Sequence, residues 1–499
     1  MPSLDTHEFD VLIIGAGISG IGCACHLTRE LPDKSWAILE TRKDLGGTWD
    51  LFKYPGIRSD SDLHTFSYEF KPWPSPNAIA SADEIMKYLR DAADEYGVTE
   101  KINYGHQVVS ADWDSHAGLW TLGVQGPSGL IEAKCRWVFS ATGYYDYEAA
   151  FRPKFSGEET FEGDLVHPQF WPENYEYAGK HIAIIGSGAT AVTLLPAMAT
   201  QAAHVTQIQR TPTYVLPRPK QDGLAKVLKS FLAPKHAHAV MRWKNTRLQR
   251  YFYLFCQRFP ESARRLIRKA NAKRLPDQYP IDTHFKPPYD PWDQRLCAAP
   301  DGDFFDAIKA GKATIKTGDI DQFEPTGVRM KSGELVVADT VVIATGLKLK
   351  MLGGIPLRVD AARVDVPSCL VFRGMMFSDV PNFAFAIGYT NSSWTLKVDI
   401  LCKYLCNLMS AMDDQRKTIC VPKAPVAMKD TRPLLDFAAG YVQRAIKELP
   451  KQGAEYPWEM TLDYMADRRS LRNRPVLDPA LVLSSPPKCR ESARTEIAA

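Results

Sequence analysis

Two segments of this chain repeat one construction: an apolar, β-branched run, a glycine-rich turn, then residues at helical spacing. The first, FDVLIIGAGISGIGCACHLTRE, starts at Phe9, and the second, HIAIIGSGATAVTLLPAMA, starts at His181. Few folds accommodate such a unit. Its first glycine permits a tight turn, its second lets a pyrophosphate approach the backbone, and its third lets helix and strand pack closely. The helix N-terminus then aims unpaired amides at the phosphates. Gly15, Gly17 and Gly20 take these places in the first unit, and Gly186, Gly188 and Ala191 in the second. Each unit also leads on to a strand meander ending in ATG, at Ala141 and again at Ala344. The pattern predicts an α/β protein with two Rossmann-like dinucleotide-binding domains, related as an internal duplication.

The residue closing the next strand separates the two sites. SWAILE ends in Glu40, a carboxylate at the spacing that accepts ribose hydroxyls. HVTQIQR ends in Arg210, followed by Thr211, where a guanidinium suits a 2′-phosphate. NADP(H) is therefore expected at the second site, with a solvated strand-end charge as the alternative. Two bound dinucleotides share chemistry when one is a flavin, which assigns the first site to a flavin. A disulfide acceptor would need paired cysteines beside it, and neither CxxC nor CxxxxC occurs near the first unit. Oxygen is the remaining common acceptor, which implies a peroxyflavin.

The bulk properties exclude more than they assign. At 499 residues the chain exceeds one core. Its 45% hydrophobic and 24% charged residues are ordinary for a globular enzyme, and a net charge of +3 points to no nucleic acid. Ten scattered cysteines without CxxC predict reduced thiols and no metal site. The N-terminus lacks a basic region followed by a long apolar run, and no apolar stretch reaches roughly 18 residues. A cytoplasmic location is expected, with no spanning helix.

Residues 224–275 differ from their surroundings, being helical in period, interrupted at Pro234 and Pro260, and rich in Lys and Arg. Lys244, Arg247, Arg250, Arg264, Arg265, Arg268 and Lys269 form either a solvated face, the favoured reading, or a peripheral contact with an anionic membrane. The apolar positions Tyr251, Phe252, Leu254 and Phe255 can be core. The tail after Pro475 is polar and reads as a surface wrap or a disordered segment.

Between the two units lies FEGDLVHPQFWP, with Phe161, Gly163, His167, Trp171 and Pro172 in the register FxGxxxHxxxWP. Gly46 to Asp60, GGTWDLFKYPGIRSD, meets GGxWxxxxYPGxxxD at every position. Together these motifs resemble the signatures of type I Baeyer–Villiger monooxygenases, and with the glycine motifs the resemblance extends to about residue 400. YPGIRSDSDLHTF, YDPWDQRLCAAPDGDFF and NSSWTLKVD look most like the subgroup of ethionamide-activating monooxygenases.

The resemblance implies FAD held by Gly15, Gly17, Ser19, Gly20 and Glu40, with Thr48, Trp49, Asp50, Leu51 and Asp60 approaching it. Val108 falls where the family contacts the adenine end through backbone. NADPH is implied along Gly186, Ser187, Gly188, Ala189 and Thr190, with Arg210 and Thr211 at its phosphate, and Arg58 and Ser59 reaching toward the nicotinamide. Arg295 matches the family's active-site arginine and Asp60 its partner. A positioned guanidinium stabilises the negative adduct formed on a ketone and cannot lose its proton. His167 is read as orienting the linker and Trp171 as packing between domains. The implied reaction converts ketones to esters or lactones and also oxidises sulfides with O2. The alternatives are a flavin-containing S- or N-oxygenating monooxygenase and an NADPH oxidase-type or redox-sensing flavoprotein.

The expected organisation is an FAD-binding domain of residues 1–150 and 372–499, an NADP-binding domain of 151–215 and 290–371, and a helical insertion at 216–289. A monomer or weak homo-oligomer is expected.

Overall fold

The computed structural model describes residues 4–294, 296–425, 428, 430–435 and 437–487. The strand Glu8–Ile14 is central to the first sheet, flanked in parallel by Trp36–Glu40 and Gly129–Ser140. Its alternation is two-sided. Val11 and Ile13 enter one buried cluster, while Leu12 and Ile14 enter another on the opposite face. The expected meander is present as antiparallel strands Gln107–Asp114, Leu119–Gly126 and Gly129–Ser140. The helices Ile18–Glu30 and Trp394–Asp414 pack together in the first of these clusters.

The second sheet is parallel and five-stranded, in the order Ala313–Thr317, His204–Gln209, His181–Ile185, Thr340–Ile343 and Asp164–Val166. Ile182 and Ile184 face one core and Ala183 and Ile185 the other. The duplication read from the sequence is thus a duplication of sheet and covering helix. The linker supplies the edge strand Asp164–Val166, so the histidine that follows it starts from a fixed position.

Two strand pairings fall near the expected boundaries. Leu357–Val359 pairs in parallel with Gln107–Asp114, so the chain rejoins the first sheet before residue 372. Val215–Arg218 pairs with Cys297–Pro300, and this two-stranded ribbon fastens the base of the helical insertion. The insertion contains helices Gly223–Phe231, Pro234–Arg258 and Pro260–Ala272. Both prolines stand in the first turn of a helix, where no amide is needed.

The long helix Pro234–Arg258 buries a mixed face, and of its four candidate core positions Phe252 and Phe255 are half-buried. Its buried face carries His238, Arg242, Asn245 and Thr246. Arg242 donates to the Ser67 carbonyl and pairs with buried Asp399, both at 2.7 Å. His238 Nε2 lies 3.2 Å from the Tyr68 carbonyl oxygen. With these polar groups turned inward, much of the helix's large apolar surface is left outside. Tyr251 and Leu254, the other two candidates, are 61% and 41% exposed. Among the basic side chains, Lys244, Arg250, Arg264 and Arg268 pair with Asp222, Asp463, Asp290 and Asp282. In the tail, Leu481–Ser484 pairs antiparallel with Ile419–Pro422, a surface wrap as far as Ser484.

Candidate functional site

The first cradle is shaped by what its glycines exclude. Gly15 has φ +102°, and a Cβ there would stand 2.8 Å from the Ala141 carbonyl oxygen. A Cβ on Gly20 would lie 1.9 Å from the Gly15 carbonyl oxygen, so the helix can approach the strand only with glycine here. Gly17 caps the helix Ile18–Glu30 with no side-chain hydrogen bond to its first-turn amides. Those amides remain available to an anion. Glu40 is buried, and its carboxylate accepts from the Ala16 amide at 2.7 Å and the Arg42 amide at 2.8 Å. Burial nonetheless raises its pKa above the ordinary carboxylate value. Each oxygen keeps lone pairs for a ribose hydroxyl.

The second cradle repeats the design with more room. Gly186 has φ +141°, and a Cβ there would be 2.2 Å from the Ala344 carbonyl oxygen. The two ATG turns therefore have one physical job: each alanine carbonyl sits against the first glycine of its unit. Gly188 caps the helix Ala189–Met198 without a side-chain hydrogen bond, and nothing lies within 4 Å of where its Cβ would be. The Gly186 amide donates to the Ile208 carbonyl at 2.9 Å, which brings the end of the strand His204–Gln209 beside the turn. Arg210 follows that strand, exposed, with half-buried Thr211 next to it. A guanidinium, a hydrogen-bond donor, thus stands beside an open glycine turn.

Residues 46–60 connect the two cradles. Gly46 bridges to Gly17, and its amide donates to the Ala16 carbonyl at 2.9 Å. The single helical turn Thr48–Leu51 follows. Within it, Trp49 meets Phe66 edge-on at 5.7 Å, and Asp50 pairs with Arg42 at 2.6 Å and Lys53 at 3.2 Å. At the other end, Tyr54 packs on the second domain's core and hydrogen-bonds Thr190. Burial, aided by Asp60, raises its phenol above the ordinary range. Gly56 has φ +74°, and a Cβ there would lie 2.5 Å from Ala197 Cβ, so the loop rests directly on the helix Ala189–Met198. The spacing of the GGxWxxxxYPG motif is the span between the two domains.

Arg58 pairs with Asp303 of the helix Asp303–Lys309, whose Phe304, Phe305 and Ile308 lie in the second domain's core. Ser59 is buried in a turn, its hydroxyl donating to the Ser61 carbonyl at 3.0 Å. Asp60 is half-buried close to Tyr54. Arg295 lies outside the described residues. Val108 buries its side chain in the first domain, where the preceding His106 amide donates to the Glu40 carbonyl at 2.9 Å. Its backbone thus runs beside the end of the acid-bearing strand.

In the linker, His167 Nδ1 accepts from the Gln169 amide at 3.1 Å, and burial lowers the imidazole pKa. Buried Gln169 in turn donates to the Asp146 carbonyl at 2.8 Å, tying the linker to the segment leaving the first domain. A neutral, capping His167 fits an orienting role. Trp171, expected between domains, packs on the second domain's core and edge-on to Tyr175 at 5.8 Å.

Sequence reasoning did not single out three neighbours of the site. Trp394 donates to Ser19 Oγ at 2.8 Å and stacks on Tyr144 at 5.3 Å, bringing the helix Trp394–Asp414 to the first cradle. Trp292 has φ +78°, a conformation costing a side-chain-bearing residue about 1–3 kcal/mol. Next to it, Tyr253 meets the Trp292 ring at 6.0 Å and, with Asn391, lines a cavity of about 240 Å³. Gln249, Leu254, Leu462 and Tyr464 complete much of its wall. The strained PWD tripeptide was the one available signal.

Cys23, Cys25, Cys135, Cys256, Cys369, Cys402, Cys406 and Cys420 are free, and these and Cys297 are buried. Cys23 and Cys402 lie close together with burial raising both thiols, so they form no reactive pair beside the first cradle. Among the described residues there is no helix long and apolar enough to cross a membrane and no cluster suited to a metal ion.

Residues 12–222 match the family described as pyridine nucleotide-disulphide oxidoreductase. The FAD-containing monooxygenase EthA of Mycobacterium tuberculosis is 43% identical over 483 residues, 97% of this chain and 99% of that protein. The probable FAD-binding monooxygenase AlmA of Acinetobacter baylyi is 43% identical over 473 residues, 93% of this chain and 94% of that one. Among solved structures, an oxidized steroid monooxygenase bound to NADP aligns with a TM-score of 0.76 at 20% identity, covering 96% of this chain and 100% of its own. An open cyclohexanone monooxygenase aligns with a TM-score of 0.70 at 20% identity, over 84% and 90%.

Proposed function

The chain belongs to the FAD-containing monooxygenases, and we propose that it is a Baeyer–Villiger enzyme, using NADPH and O2 to convert ketones to esters or lactones and also oxidising sulfides. The observation carrying this reading is the loop of residues 46–60, which meets Gly17 at one end and rests on the helix Ala189–Met198 at the other. Such a loop keeps two dinucleotides at one cleft.

The donor sets fit these groups. FAD lies along Gly15, Gly17, Ser19 and Gly20 with its ribose on Glu40, and Thr48, Trp49, Asp50 and Leu51 approach it while Val108 backs the adenine end. NADPH lies on Gly186, Ser187, Gly188, Ala189 and Thr190, with Arg210 and Thr211 at its 2′-phosphate. Both helix N-termini lack side-chain caps, and the space at Gly188 is open. The bound flavin supplies hydride acceptance and oxygen activation. For the protein, Arg295 holds the negative charge that builds on the ketone oxygen, and Asp60 positions it. Arg58 and Ser59 meet the nicotinamide, with Asp303 orienting the Arg58 guanidinium. The cavity beside Trp292 serves as the substrate chamber.

The flavin domain takes residues 1–150 and the chain from Leu357 onward, and the NADP domain takes 151–218 and 297–343 around the helical insertion. Eight buried thiols that are free, Cys297 aside, support a reducing cytoplasm. The test is a panel of ketones and sulfides scored for products against NADPH consumed. Esters or lactones matching NADPH support the reading. Sulfoxides or N-oxides alone move the chain to the heteroatom oxygenases, and peroxide equal to NADPH makes it an oxidase.

A further inference from the structure

We propose that the helical hairpin of residues 223–272 docks the protein on an anionic lipid bilayer. The long helix Pro234–Arg258 buries His238, Arg242, Asn245 and Thr246 beside Ala237, Met241 and Cys256, and leaves several large apolar side chains in water. On that outer face Trp243 and Tyr251 are 57% and 61% exposed, and Val240, Arg247 and Leu254 fall on the same side at helical spacing. Phe231, ending the preceding helix, is 83% exposed and shares its face with Leu224 and Val227. Phe259, between the second and third helices, is 55% exposed. Scattered exposed hydrophobics need no explanation, but a concentration of them on one excursion from the core marks a contact surface.

Charge selects what covers it. The hairpin holds twelve lysines and arginines against the single acid Glu261, a formal +11 in a chain whose whole charge is +3. Lys226, Lys235, Arg247, Arg258, Arg265 and Lys269 have no carboxylate partner among the described residues. Arg247 instead lies over the Trp243 ring at 4.2 Å, coupling a cation to an aromatic of the outer face. Two copies of such a face would repel each other, whereas an anionic bilayer neutralises the cations and takes up the aromatics together. The same helix gives Tyr253 and Leu254 to the cavity. Where that cavity is the substrate chamber, docking sets one of its walls, at Leu254, against the lipid.

Flotation of the FAD-loaded protein with phosphatidylglycerol–phosphatidylcholine vesicles, against phosphatidylcholine alone, tests the docking without reference to turnover. The protein is expected to float with the anionic vesicles only and to be released by high salt. Each of Arg247→Gln and Arg265→Gln should weaken binding about fivefold. The double variant Phe231→Ser, Trp243→Ser should abolish binding while flavin absorbance, circular dichroism and melting stay as in the parent. No flotation of the parent, equal flotation with both vesicles, or variants that bind like the parent would each overturn the proposal. So would self-association of the parent, lost in the double variant, without vesicle binding, because a second copy would then cover the face.

Discussion

Gly188→Ala isolates the nucleotide from the fold. Gly188 has φ −77° and ψ −177°, extended backbone open to any residue, and no atom stands within 4 Å of the added methyl. In the free protein the change therefore meets nothing. Alanine is a slightly poorer N-cap than glycine, but it loses less chain entropy on folding, and each effect is about 1 kcal/mol or less. The melting temperature should move by no more than about 2 °C. A dinucleotide on this turn meets the methyl where its pyrophosphate approaches the amides. Losing even one or two charge-assisted hydrogen bonds removes roughly 1.5–3 kcal/mol, so the NADPH concentration for half-maximal flavin reduction should rise about tenfold to a hundredfold.

Anaerobic stopped flow gives that constant directly, and thermal unfolding of the same preparation gives the stability. Gly20→Ala supplies the contrast. Its methyl would sit 1.9 Å from the Gly15 carbonyl oxygen, so the helix must leave the strand and the flavin should be lost with the fold. An NADPH dependence within about twofold of the parent in Gly188→Ala would remove the pyrophosphate from this turn. A collapse in stability would instead refute the claim of open space.

Arg210→Ala should lower the preference for NADPH over NADH by about tenfold or more in the same reduction assay, and an unchanged preference would move the 2′-phosphate elsewhere. Arg295→Ala should be reduced by NADPH at the parent rate yet lose on the order of a hundredfold in ester formation, and a full ester yield would take Arg295 out of the chemistry. Burial lowers the His238 pKa from 6.5 to about 4, with nearby Arg242 adding to the shift and the Tyr68 carbonyl opposing it. As pH falls from 6.5 to 4 the unfolded chain takes the proton first, so this group withdraws up to about 3 kcal/mol of stability across that window. Urea unfolding at pH 7 and pH 4.5 should show a smaller difference in His238→Gln than in the parent, and equal differences would refute the assignment.

The parts of the site legible in the sequence are those governed by a handful of neighbouring backbone positions. Gly15, Gly17 and Gly20 announce a cradle because the turn, cap and close approach they permit are all local, and the same holds for Gly186 and Gly188. Contacts across the fold leave weaker traces. Asp303 pairs with Arg58 from 245 positions away, and Trp394 reaches Ser19 across 375. Nothing at either end requires such a partner, since an Arg, a Ser or a Trp is at home on many surfaces.

The helix Pro234–Arg258 illustrates a different limit. Periodicity reports that a helix has two faces, but which of them turns inward depends on the surface it meets. Reading Tyr251 and Leu254 as candidates for a core assumed an apolar partner. The partner is a row of carbonyls, at Thr65, Ser67 and Tyr68, together with the buried carboxylate of Asp399, and only polar side chains can satisfy it. Once Arg242 and His238 are committed there, the helical repeat itself forces Trp243, Tyr251 and Leu254 outward. An apolar face exposed in this way is a consequence of the polar one, and the cations beside it then determine what can cover it.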